Sequence, residues 1–118
     1  MIDHVLHEVS DLERSARFYD AVFFALGARR IPAGEGTVAW GVDGPVFEIA
    51  TGSGFRQGSG HVALRAAGKA AVDAAHDAGL AAGGVQEVAP GGRPGHGPRG
   101  YAAVLRDPDG LRIELLSR

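Results

Sequence analysis

The sequence predicts an α+β fold of two βαβββ modules, whose antiparallel-rich sheets form an open cleft. Two internal matches carry this reading. The stretch opening Asp3-His4-Val5-Leu6 returns 57 positions later (61 − 4) at Gly60-His61-Val62-Ala63, and the same shift places Gly27 on Gly84. Near the ends of the halves, Val46-Phe47-Glu48-Ile49 matches Arg112-Ile113-Glu114-Leu115 at an offset of 66 (114 − 48). The nine extra residues (66 − 57) fall most naturally in Ala89–Gly100, whose Gly and Pro content reads as a loop. Module one then covers about residues 1–52 and module two about 58–118, within a single domain of 118 residues.

The elements follow in order. In the first strand Val5 and Val9 share a face with His7 between them, while His4, Leu6 and Glu8 take the other. Ser10-Asp11-Leu12-Glu13 is a capping-box pattern, which predicts Ser10 as the helix cap. Leu12, Ala16, Tyr19, Val22, Phe23 and Leu26 form one apolar stripe behind it, and Gly27 is a natural stop. A short strand is expected around Ala28–Ile31. Thr37–Val42 and Pro45–Thr51 flank Asp43-Gly44, a type I′ hairpin signal. In the second half, an Ala-rich helix is expected near Lys69–Ala82, with no good cap. A strand follows around Val85–Val88, and Tyr101–Arg106 and Leu111–Leu116 flank the Asp107-Pro108-Asp109-Gly110 turn.

Composition narrows the function. A net charge of −2 and scattered arginines give no footprint for nucleic acid. The chain has no cysteine, which removes disulfides, thiolate metal sites and thiol nucleophiles. The opening MIDHVLHEV does not read as a secretory signal, and no apolar run approaches the roughly 20 residues of a membrane helix. The expectation is a soluble, cytoplasmic protein.

Alternation puts four metal-competent side chains on the non-core faces: His4 and Glu48 in module one, His61 and Glu114 in module two. A lone His or Glu on a strand is usually just solvent-facing. Two Glu set in strongly apolar strands, each matched by the repeat to a His, form a stronger pattern, because Glu is a poor strand former. If two open faces curl together the carboxylates approach and repel, and a divalent cation relieves that repulsion. Two nitrogens and two oxygens suit Zn, Ni, Co, Mn or Fe without choosing among them.

These residues carry a resemblance over nearly the whole chain. Ile2-Asp3-His4-Val5, Val9-Ser10-Asp11-Leu12 and Ser15-x-x-Phe18-Tyr19 look like the start, and Asp107-Pro108-Asp109-Gly110 with Ile113-Glu114-Leu115 like the end, of proteins of the glyoxalase/bleomycin-resistance/extradiol-dioxygenase superfamily, the vicinal oxygen chelate fold. The resemblance implies metal ligands at His4, Glu48, His61 and Glu114, with Glu48 or Glu114 as the catalytic base. It implies a lactoylglutathione-lyase-like or epimerase-like enzyme whose metal holds vicinal substrate oxygens and stabilises an enediolate. The retained Glu48 leans toward lyases, isomerases and epimerases, and away from three-ligand dioxygenases. Glu8 stands where glutathione-using relatives commonly carry Arg, which argues against glutathione. The segment from Pro90 to Tyr101 resembles a glyoxalase-like subgroup in which an aromatic residue often replaces the residue matched by Glu48. The alternative function within the resemblance is a non-catalytic binding protein that sequesters a drug or metabolite without metal. The family also implies a homodimer with a shared cleft, in which His4 and Glu48 of one chain meet His61 and Glu114 of another.

Substrate contacts are expected from Arg93, His96 and Tyr101 in or beside the Gly/Pro loop, with Arg99 nearby, and from Trp40 and Phe55 as apolar lining. His7 and His76 read as packing or surface residues, and Asp107 and Asp109 as turn formers.

Overall fold

The computed structural model describes residues 1–52 and 60–118; Phe55 lies outside them. Module one runs β1 (Val5–Val9), α1 (Leu12–Ala25), β2 (Arg29–Ile31), β3 (Thr37–Gly41) and β4 (Pro45–Thr51). Module two runs β5 (His61–Arg65), α2 (Lys69–Ala81), β6 (Val85–Gly92), β7 (Tyr101–Arg106) and β8 (Arg112–Ser117). Each module closes a four-stranded sheet, ordered β1-β4-β3-β2 and β5-β8-β7-β6. The first strand of each module lies parallel to the last, and the remaining pairs are antiparallel. A parallel pair cannot be joined by a hairpin, so the chain must travel through the helix and two further strands between them.

Several local expectations are corrected. The cap of α1 is Asp11, whose carboxylate accepts the Arg14 N–H at 3.0 Å. Ser10 is drawn away to bond the Asp109 carboxylate instead. The β3–β4 connection is not a two-residue type I′ turn: Gly41 pairs with Pro45, the register shifts at Trp40/Gly41, and Gly44 does not adopt a positive φ. Gly41 is needed there, because a Cβ would stand 1.7 Å from the Gly44 carbonyl oxygen. The left-handed stop after α2 is Gly83, at φ 102°, so the repeat loses one residue by the end of α2 and Gly84 is not the counterpart of Gly27. Strand β6 runs on to Gly92, and much of the expected loop is therefore strand, followed by a 3-10 turn at Pro94–His96.

One core serves both modules. Phe18, Tyr19, Phe23, Trp40 and Phe47 form an aromatic cluster, with Phe23 and Trp40 stacked at 5.5 Å between centroids. Leu105, Ile113 and Leu115 continue the core on the second sheet, and α1 packs against α2. Glycine permits close packing of α2 and the turn after it against β7 and α1. A Cβ at Gly79 would meet Leu105 Cδ1 at 2.5 Å, and one at Gly84 would meet Phe18 Cε1 at 2.5 Å.

A polar clasp also joins the modules. The buried Asp107 accepts the Tyr19 hydroxyl at 2.7 Å through Oδ2, and the Leu111 and Asp109 N–H groups at 2.8 and 2.9 Å through Oδ1. His7 Nε2 stands 3.6 Å from Oδ2, beyond hydrogen-bond length. Outside it, Asp109 accepts from Ser10 and from Arg14 at 3.1 Å. Asp107 and Asp109 do form the turn, with Gly110 at φ 90° as its left-handed residue. They also tie β1 and α1 to the second sheet. Tyr19 and Asp107 lie 88 residues apart, so no local pattern announces the bond.

Candidate functional site

Glu48 and Glu114 lie on strand faces opposite the core, while His4 precedes β1 and His61 opens β5. Glu48 pairs in register with Leu6 on β1 and Ala39 on β3, and shares its face with the exposed Leu6 and Val46. Phe47 and Ile49, on the other face, are buried in the core. Glu114 likewise opposes Ala63 and Val104, with Ile113 and Leu115 buried behind it. Each carboxylate therefore rises from a strand whose position is fixed by core packing on the opposite face.

In module one, His4 Nε2 stands 4.0 Å from Glu48 Oε2. His4 Nδ1 bonds Asp3 Oδ1 at 2.8 Å, which fixes the ring so that Nε2 is turned to Glu48. The Asp3 bond first, and the Glu48 charge second, hold the imidazole above its ordinary pKa against the opposing effect of desolvation. Asp3 was not anticipated, although its place beside His4 in the sequence was the available signal.

In module two, His61 and Glu114 line one small cavity of about 60 Å³ with Val104 and Arg112. His96 approaches Glu114 from the loop, with Nε2 3.6 Å from Oε1. The 3-10 turn carrying His96 is braced: the Arg93 N–H donates to the Gly100 carbonyl at 2.8 Å, and the Gly100 N–H to the Gly97 carbonyl at 3.0 Å. Gly100 is buried beneath it, where a Cβ would stand 2.2 Å from the Arg93 carbonyl oxygen and 2.9 Å from His96 Cβ. Arg112 is tied to Glu87 at 2.6 Å, as is Arg106. The two arginines, Arg112 foremost, lower the Glu87 pKa.

The other expected contacts are spread more widely. The Arg93 guanidinium donates to the Gly92 and Ala89 carbonyls, bracing its own loop. Tyr101 shares the helix side of its sheet with Ala103 and Leu105 and donates its hydroxyl to Asp73 on α2 at 2.7 Å. Trp40 is buried in the core, with its indole N–H on Asp20 at 3.0 Å. Of these residues only His96 meets a candidate ligand. His76 is a buried core residue on α2, and His7 is half-buried beside Asp107.

Among the described residues, no three His, Cys, Asp or Glu side chains gather as a metal group. The donors form two separate pairs, one on each sheet. Structural and catalytic ions generally take three or four protein ligands. Either pair alone supplies fewer protein ligands than that.

Paired βαβββ modules with mixed four-stranded sheets define the class of the protein. A family model for the Glyoxalase/Bleomycin resistance protein/Dioxygenase superfamily matches residues 1–115, and the chain belongs to that family. It is similar over its length to a glyoxalase/bleomycin resistance protein from Albidiferax ferrireducens T118, at 36% identity and TM-score 0.84, covering 98% of this chain and 97% of that one. The fold is shared with the fosfomycin resistance protein FosX from Mesorhizobium loti, at 22% identity and TM-score 0.72, covering 100% and 92%. A glyoxalase I mutant from Zea mays matches at 26% identity and TM-score 0.67, covering 96% of this chain and 45% of that one. No curated protein sequence matches. No helix among the described residues is long and apolar enough to cross a membrane.

Proposed function

We propose that the protein binds a small polar organic molecule on its open sheet faces, as a sequestering protein of the bleomycin-resistance kind. The observation that carries this reading is the two-plus-two division of the candidate ligands, with no cluster of three among the described residues. Each pair then acts as a set of contacts. Glu48 and Glu114 accept, His4, His61 and His96 accept or donate, and the exposed Leu6 and Val46 supply apolar area. Calorimetric titration with bleomycin and with fosfomycin, each with and without a chelator, tests it. Saturable binding that survives the chelator supports the reading. Binding that needs added metal, or none with either drug, counts against it.

A second reading has its own supporting observation. The Asp3–His4 bond orients an imidazole as a ligand is oriented in metal sites. In this reading the protein is a metal-dependent lyase, isomerase or epimerase acting on a substrate with vicinal oxygens. His4 and Glu48 meet His61 and Glu114 of a second copy in a homodimer. A divalent cation bound there supplies Lewis-acid polarisation of the substrate oxygens. Glu48 or Glu114 moves the proton, and His96 stands beside Glu114 with its Nε2 3.6 Å from Oε1. Elemental analysis of the purified protein, beside a Glu48→Gln, Glu114→Gln double variant, separates the readings. Near-stoichiometric metal lost in the variant favours the enzyme. A metal-free wild type that cannot be reconstituted removes it.

A further inference from the structure

On the helix side of module one, away from the candidate ligands, lies a cavity of about 500 Å³ that the function above does not use. Phe24, a large apolar side chain left 82% exposed, and the edge of Trp40 give it an apolar lining. Arg17, Arg29 and Arg30 stand around it with a single carboxylate, Asp20. That carboxylate is already committed. Arg30 grips it with two bonds of 2.7 and 2.8 Å, and the Trp40 indole N–H adds a third at 3.0 Å. Arg29 donates to the neutral Val42 carbonyl at 2.9 Å, and Arg17 has no hydrogen bond or ion pair among the described residues. Glu13 lies on the neighbouring groove, one turn before Arg17. Arg17 and Arg29 thus have no carboxylate partner among the described residues beside this apolar hollow, in a chain whose net charge is −2.

We propose that this cavity is a second ligand site, for a small planar aromatic carboxylate whose ring lies against Phe24 and whose carboxylate pairs with Arg17 and Arg29. Three features argue for that chemistry. The volume lies within the range of small-molecule pockets, roughly 300–1,000 Å³. Guanidinium matches carboxylate in shape as well as charge. Aromatic area on Phe24 favours a flat apolar body over an inorganic anion. Both arginines and Phe24 are exposed, so ligand reaches them without opening the core.

The probe is naphthoate, titrated into isotopically labelled protein and followed by NMR. Trp40 is the one tryptophan of the chain, so its indole N–H gives a single reporter resonance at the cavity floor. The expected result is saturable shifts of that resonance and of the Phe24, Ala28 and Ala82 amides. Naphthoate should bind about tenfold or more tightly than neutral naphthamide, and an Arg17→Gln, Arg29→Gln variant should lose that preference. Both substitutions are at exposed positions, and unchanged spectral dispersion confirms the fold. Any of four outcomes overturns the proposal: no saturable shift at millimolar naphthoate, equal binding of the amide, shifts centred on Glu48 or Glu114, or shifts at these residues on protein dilution alone. The last would make the face a contact between copies of the chain.

Discussion

Replacing Asp107 tests the clasp that joins the two modules. Asp107→Ala leaves the Tyr19 hydroxyl and the Leu111 N–H, both buried, without an acceptor, and also frees the Asp109 N–H. Each orphaned buried donor costs about 1–3 kcal/mol, so the expected loss is about 3–5 kcal/mol. Against a typical domain stability of about 5–15 kcal/mol, that removes a large share. Asp107→Asn keeps the Oδ1 acceptor for the two N–H groups and lets the Tyr19 hydroxyl turn to accept, so it should lose only about 1–2 kcal/mol. Tyr19→Phe removes a donor and leaves a still well-bonded carboxylate, at about 1 kcal/mol. Urea denaturation at one fixed protein concentration reads all three, because a dimer would make the midpoint depend on concentration. With a slope of about 2 kcal/mol per molar urea, Asp107→Ala should lower the midpoint by roughly 2 M. A loss below about 1 kcal/mol for Asp107→Ala would show that the donors find other partners, and the clasp argument would fail.

Further outcomes follow from the same contacts. Burial alone would raise the Asp107 pKa, but the His7 imidazole, the Tyr19 hydroxyl and the two backbone N–H groups outweigh it and hold the carboxyl below its ordinary value. Its contribution to stability is fully present above about pH 4, the unfolded range for Asp, and is lost as pH falls through the lowered folded value. Acid unfolding monitored by circular dichroism should therefore begin at higher pH in a variant that retains the fold but has lost the Tyr19 bond. Gly100→Ala forces a Cβ to 2.2 Å from the Arg93 carbonyl oxygen and should cost about 1–3 kcal/mol. A crystal structure of that variant should show His96 displaced from Glu114, and an unmoved turn would refute the bracing argument. Asp11→Ala, which removes the cap of α1, should cost about 1 kcal/mol, whereas Ser10→Ala should alter the link to Asp109 and leave helix content unchanged.

What the sequence disclosed depended on periodicity. Alternation in β4 and β8 fixed which way Glu48 and Glu114 face, because a one-residue slip would bury each carboxylate and expose Phe47, Ile49, Ile113 and Leu115. The repeat located both His–Glu pairs for the same reason. It could not report the close packing behind the sheets, where Gly79 lies against Leu105 and Val22 and Gly84 against Phe18, because those contacts exist only in the fold. Capping chemistry misled at Ser10 because an acceptor 99 residues away competes for it, and Asp11 next to it caps equally well. The loop of module two reads as Gly/Pro-rich in one dimension. In three, it extends a strand, folds its own arginine back onto its carbonyls and delivers His96 to Glu114.

The two functional readings meet on one physical question, namely what covers the open face of the first sheet. Leu6 pairs with Glu48 in register, and both Leu6 and Val46 are 50% exposed beside it. Any surface that buries those apolar side chains also withdraws the Glu48 carboxylate from water, at a cost of several kcal/mol unless it is compensated. A ligand compensates with its own donors. A second copy could do so with the face that carries His61, Arg112 and His96, where Glu87 already neutralises part of the arginine charge. Two carboxylates, Glu48 and Glu114, would then share one dry site, and a cation becomes the natural way to balance them. Metal content and oligomeric state should therefore rise or fall together: a metal-bound monomer, or a metal-free dimer formed through this face, would contradict that coupling.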